Sequence, residues 1–138
     1  MSIQQRLNEI ASNLSLFDDP IQKYEYIIEL GKALKPLDEK FHTDAYKVQG
    51  CQSSVWMHLF IKDEKLTIQA DSDAFIVKGL VAIIISVYED ATCSEIKAFD
   101  KALLDHLGLD EIITPGRQNG VASMIKKVYD FCQAKENL

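Results

Sequence analysis

Apolar residues recur along this chain with two periods, and the switches between them divide it into helices, a sheet and helices again. Ser2 followed by Gln5 reads as a capping box opening a helix to about Leu14. Asp19-Pro20 marks a second start, with a capping carboxylate and a proline at the first helical position, where its missing N–H costs little. Ile21, Tyr24, Ile28, Gly31 and Leu34 then recur at helical spacing until Lys35-Pro36. Leu37 to Ala45 has no clear period and reads as a loop.

The period then falls to two. Tyr46 to Gln49 reads as a short strand. Val55, Met57, Leu59 and Ile61 alternate with Trp56, His58, Phe60 and Lys62, and Leu66, Ile68 and Ala70 form the returning strand after a tight turn at Asp63-Glu64. The pattern predicts a three-stranded antiparallel meander. Asp71-Ser72-Asp73 offers capping oxygens for a helix to about Asp90, apolar almost all round and therefore central. Thr92 with Glu95 suggests another capping box, short helical pieces continue to His106, and Gly108 reads as a stop. Thr114-Pro115 restarts the chain, and Val121, Ile125, Val128 and Cys132 mark the inner face of a last long helix. This order predicts an α+β fold, one domain over residues 1–138, with the meander packed against helices.

Composition narrows the function. A net charge of −6 with no basic run opposes nucleic-acid binding. The most apolar stretch, Ala74 to Tyr88, contains Lys78 and Ser86 and falls short of the roughly 20 residues a bilayer requires, so no membrane association is expected. The N-terminus shows no secretory pattern. Cys51, Cys93 and Cys132 have no metal-ligand spacing and make no even disulfide set, which points to a reducing compartment, the cytoplasm. No cofactor and no metal is expected.

Cys51 is the candidate with chemistry. It follows Gly50 between two predicted strands, where glycine permits a tight reversal that lifts a thiol within reach of another molecule. The run Gln49-Gly50-Cys51-Gln52-Ser53-Ser54-Val55-Trp56 resembles the SufE family of sulfur acceptors. So do Asp71-Ser72-Asp73-Ala74, Ile76-Val77-Lys78-Gly79-Leu80, Tyr24 to Gly31 and Thr114-Pro115-Gly116-Arg117. The resemblance implies a fold like that of U-type cluster scaffolds. It also implies a non-enzymatic partner and activator of a cysteine desulfurase, a pyridoxal-phosphate enzyme. In that role Cys51 carries the persulfide, Gly50, Gln52, Asp73 and Arg117 support it, and a downstream iron–sulfur scaffold receives the sulfur.

The other candidates have plainer readings. Cys132 falls on an apolar stripe and reads as core, and Cys93 as a bystander at a helix start. His58 shares a strand face with Trp56 and Phe60 and reads as a packed or solvated ring, although it could touch the Cys51 loop. His42 and His106 have no visible partner, so no Cys-His dyad emerges and a thiol peroxidase or hydrolase lacks its base. Asp71 and Asp73 read as helix caps that could also reach the cysteine loop. Val48, Val55 and Trp56 could shelter the thiol between encounters. Two readings compete with a relay. A cluster scaffold needs several converging thiolates, and a pure regulator binds the desulfurase without carrying sulfur.

Overall fold

The computed structural model describes residues 1–136. Five helices and one hairpin follow in order: α1 (Ile3–Ser15), α2 (Pro20–Lys32), β1 (Val55–Lys62), β2 (Lys65–Ser72), α3 (Phe75–Tyr88), α4 (Cys93–Ala98) and α5 (Pro115–Glu136). Short 3-10 turns fill the stretches at Glu39–Phe41, Asp44–Tyr46, Lys101–Leu107 and Leu109–Glu111. The fold is α+β, as the patterning predicts.

Local signals place the helix starts. Ser2 Oγ accepts the Gln5 N–H at 3.1 Å while Gln5 Oε1 accepts the Ser2 N–H at 2.8 Å, and Thr92 with Glu95 repeats the arrangement at α4. Asp19 caps Ile21 N–H at 2.8 Å with Pro20 beside it. Gly108 takes the left-handed φ of 69° that ends the 3-10 turn before it.

The sheet has two strands, not three. β1 and β2 pair antiparallel from Val55 opposite Ser72 to Lys62 opposite Lys65. Asp63 and Glu64 turn the hairpin with φ of 53° and 68°, the left-handed pair that matches strand twist. The expected strand Tyr46–Gln49 shrinks to one bridge, Lys47 opposite Trp56, plus a 2.8 Å bond from Val48 N–H to Val55 O. Tyr46 is absorbed into a 3-10 turn ahead of it, and Gly50 at φ 87° bends the chain away behind it. Too little extended backbone remains to build a ladder.

α3 is central, with Val77, Leu80, Val81, Ile84 and Val87 all buried. It packs against β2, α1, α5 and most extensively α2. The α2–α3 crossing is very close: a Cβ on Gly31 would lie 2.6 Å from Gly79 N, and one on Gly79 would collide with the Ile27 carbonyl. Small residues at this crossing fix the depth at which α3 sits, and α3 carries two walls of the site described next. Cys93 and Cys132 are disulfide-bonded, tying the start of α4 to α5. This corrects the reading of Cys93 as a bystander and of Cys132 as a plain core thiol. The two lie 39 residues apart in sequence, so spacing gave no sign of the pair.

Candidate functional site around Cys51

The segment from Gly50 to Ser54 is an irregular loop lying along the first turns of α5. A Cβ on Gly50 would stand 2.6 Å from Ser123 Oγ, so the reversal needs glycine both for its positive φ and for this contact. The Gln52 side chain lies against Gly116, where a Cβ would collide with it. Arg117 Nη1 donates to Ser53 Oγ at 3.1 Å. Ser54 is held from the other side: its N–H donates to Asp73 Oδ1 at 3.0 Å, and its carbonyl accepts from Asp73 N–H at 3.2 Å and from Ser72 Oγ at 2.9 Å. Every loop residue flanking the thiol therefore meets α5 or the β2–α3 junction.

Cys51 is half-buried and is the free cysteine among the described residues. Its thiol donates to the Gly120 carbonyl with Sγ at 3.6 Å from the oxygen. A cavity of about 10 Å³ adjoins it, walled by Val77, Leu80, Gly116, Gly120 and Met124. That volume matches about one water-sized sphere. Burial pushes the Cys51 thiol above its ordinary pKa, with desolvation as the cause. The resting thiol is therefore protonated and weakly nucleophilic near neutral pH.

This shift has a measurable sign. A folded pKa above the unfolded one contributes stability that is fully present below the unfolded pKa and is lost as pH rises through the folded pKa. The same titration governs chemistry. Alkylation of Cys51 by iodoacetamide is expected to rise with pH to a midpoint above that of a free cysteine. A midpoint at or below the free value would contradict the sheltered geometry.

The structure brings Gly50, Cys51, Gln52, Asp73 and Arg117 together, the five residues singled out from sequence. It leaves the histidines elsewhere. His58 stacks on Phe41 at 4.0 Å, with its Nδ1 3.2 Å from Gln69 Oε1. His106 is exposed. His42 packs against Trp56 at 4.8 Å and places Nε2 2.9 Å from Asp71 Oδ2, a partner invisible in sequence. Asp71 also faces Lys78 Nζ at 3.4 Å. Burial opposes ionisation of Asp71, but the His42 contact, the Ser72 N–H and Lys78 outweigh it and hold its carboxyl below the usual value.

Asp71 and Asp73 do not cap α3. Ala74 is the N-cap residue without a side-chain bond, and the nearest substitute is Ser72 Oγ, 3.3 Å from Ala74 N. Longer-range partners take both carboxylates first. The shelter also differs from expectation. Val48 and Val55 are buried and Trp56 faces His42, but the walls beside Sγ come from α3 and α5. Sequence reasoning missed Gly116, Gly120, Ser123 and Met124. The available signal was Gly116 and Gly120 four residues apart, on one face of a helix where a chain can approach closely.

Residues 8–132 match the family model described as SufE, Fe-S metabolism associated domain. The chain is 39% identical over 134 residues to an uncharacterized SufE-like protein of Rhizobium etli, covering 94% of this chain and 90% of that one. It is 40% identical over 116 residues to the cysteine desulfuration protein SufE of Wigglesworthia glossinidia brevipalpis, covering 83% and 81%. SufE-like protein 1, chloroplastic/mitochondrial, of Arabidopsis thaliana is 35% identical over 122 residues, 88% of this chain and 33% of that longer protein. A solution structure of a hypothetical protein from Thermus thermophilus superposes with a TM-score of 0.79 over 96% of this chain and 97% of that one, at 14% identity, which shows the shared fold. Among the described residues no helix is long and apolar enough to cross a membrane. With a family match over residues 8–132 and relatives 35–40% identical over most of its length, the chain belongs to the SufE family.

Proposed function

We propose that this chain is a sulfur relay. It binds a pyridoxal-phosphate cysteine desulfurase, accepts sulfane sulfur on Cys51 and passes it to a downstream iron–sulfur scaffold. The observation that carries this reading is Cys51 itself, the free thiol among the described residues, in a loop whose neighbours Gln52, Ser53 and Ser54 each have a partner while the thiol donates to a carbonyl beside a small, largely apolar cavity. Such a site has a nucleophile and no base, which suits transfer between proteins better than hydrolysis.

The transfer balances without a redox partner. The Cys51 thiolate attacks the outer sulfur of the donor's Cys–S–SH. A new S–S bond forms on Cys51, the donor's S–S bond breaks, and the donor cysteine leaves as a thiolate that takes up the proton Cys51 gave to water. Sγ rests half-buried against the Gly120 carbonyl, and in this reading the loop tip swings out to meet the donor, with Gly50 as the hinge. Iodoacetamide is expected to label Cys51 faster in a complex with a desulfurase lacking its own catalytic cysteine. An unchanged rate would contradict the swing.

A scaffold reading finds less support. Among the described residues no three of His, Cys, Asp or Glu converge as a metal site, and Cys93 and Cys132 are bonded to each other. The direct test is alanine production by the desulfurase, with cysteine in excess and the chain added. Turnover is expected to rise, because the acceptor clears the enzyme's persulfide. No rise at any ratio of chain to enzyme would remove the proposal.

A further inference from the structure

A groove of about 800 Å³ opens on the neighbouring face of α5, walled by α3, α5 and the 3-10 turns Lys101–Leu107 and Leu109–Glu111. We propose that it is a binding site for a small ligand with an apolar body and a cationic head, of the alkylammonium kind. Its size falls in the ordinary range for small-molecule sites, which are mostly apolar with a few polar groups at the mouth. Ile84, Leu104, Val121 and Ile125 supply the apolar walls. Covering such a surface with hydrocarbon gains roughly 25 cal/mol per Å² removed from water.

The charges at the mouth choose the head group. Asp100, Lys101, Asp105 and Asp110 stand there. Lys101 is occupied, its Nζ 5.4 Å from the centre of the Tyr129 ring. The Asp100 carboxylate already accepts the Ala102 N–H at 3.0 Å. Asp105 and Asp110 are exposed and, among the described residues, their carboxylates have no hydrogen-bonded or ion-paired partner. Two free carboxylates at an apolar groove, on a chain of net charge −6, attract a cation and repel an anion. The three enclosing walls favour a compact ligand over the face of a partner helix. Leu80 lines both this groove and the Cys51 cavity, so a bound ligand touches a side chain that also shelters the thiol.

The test uses the full chain and two probes of equal chain length, octyltrimethylammonium and octyl sulfate, below their micelle concentrations. Methyl NMR shifts should saturate at Ile84, Leu104, Val121 and Ile125 with the cation, and the anion should bind at least about tenfold more weakly. Ala122→Trp, at an exposed position on the groove wall, should lower cation affinity by about tenfold or more. Ala102→Phe serves the same purpose should the tryptophan disturb the fold. Asp105→Asn with Asp110→Asn should erase the preference for the cation. Equal affinity for both probes, shifts centred on the exposed Leu16 and Ile21, or full binding to a filled-groove variant would overturn the proposal. So would a basic amphipathic peptide shifting these methyls where octyltrimethylammonium does not, since the groove would then belong to a protein partner.

Discussion

A Cys51→Ser chain is expected to fold, to bind a cysteine desulfurase, and to leave that enzyme's turnover where it stands without the chain. The loop that holds the residue is fixed by contacts that do not involve sulfur: Arg117 to Ser53, Asp73 and Ser72 to Ser54, and Gln52 over Gly116. The thiol itself makes one weak hydrogen bond and a half-buried apolar contact. Replacing it with a hydroxyl of similar size should change stability by about 1 kcal/mol or less. Chemistry is a different matter, because a serine hydroxyl does not attack a persulfide under these conditions. Turnover assayed with the wild-type chain, the serine variant and no chain separates the readings. A serine variant that stimulates as well as the wild type would show that the chain regulates by docking alone.

Gly79→Ala should be the most damaging small change outside the loop. Alanine ordinarily stabilises a helix by about 1 kcal/mol relative to glycine. Here the added methyl would meet the Ile27 carbonyl and the Ile27 side chain where α2 crosses α3. A backbone carbonyl cannot rotate away, so the two helices must separate along their most extensive contact. Overpacking of this kind costs about 1–3 kcal/mol, and at this crossing it should outweigh the helical gain. Because the clash is with a backbone carbonyl, the cost should lie at the upper end, about 3 kcal/mol, which leaves a net loss of about 2 kcal/mol and a fall in thermal midpoint of roughly 5–10 °C. The displaced helix carries Val77 and Leu80, so Cys51 should also become easier to alkylate. A variant as stable as the wild type would contradict the close approach of α2 and α3.

Much of the fold was legible because it is local. Ser2 with Gln5, Asp19 with Pro20, and Thr92 with Glu95 act within one turn of chain, and each caps the helix its spacing predicts. The apolar run from Ile76 to Val87 has too little polar surface to lie anywhere but the centre. The readings that needed correction depended on partners distant in sequence. Tyr46–Gln49 has strand composition, but 3-10 turn and glycine reversal leave it a single bridge. Asp71 and Asp73 sit where caps belong, but His42 and Lys78 claim the first and Ser54 the second. The site follows the same rule. Cys51 and its loop residues stand in one short run, whereas the cavity beside the thiol comes from α3 and α5, and only the four-residue spacing of Gly116 and Gly120 hinted at the second.

The measurement that bears most directly on the relay is peptide mass mapping of the wild-type chain after incubation with a cysteine desulfurase and cysteine. The peptide containing Cys51 should gain one sulfur atom, lose it on treatment with a reductant, and be the site of that gain, while the Cys93 and Cys132 peptides carry none. Sulfur on Cys93 or Cys132 with Cys51 unmodified, or no sulfur on the chain at all, would contradict the account.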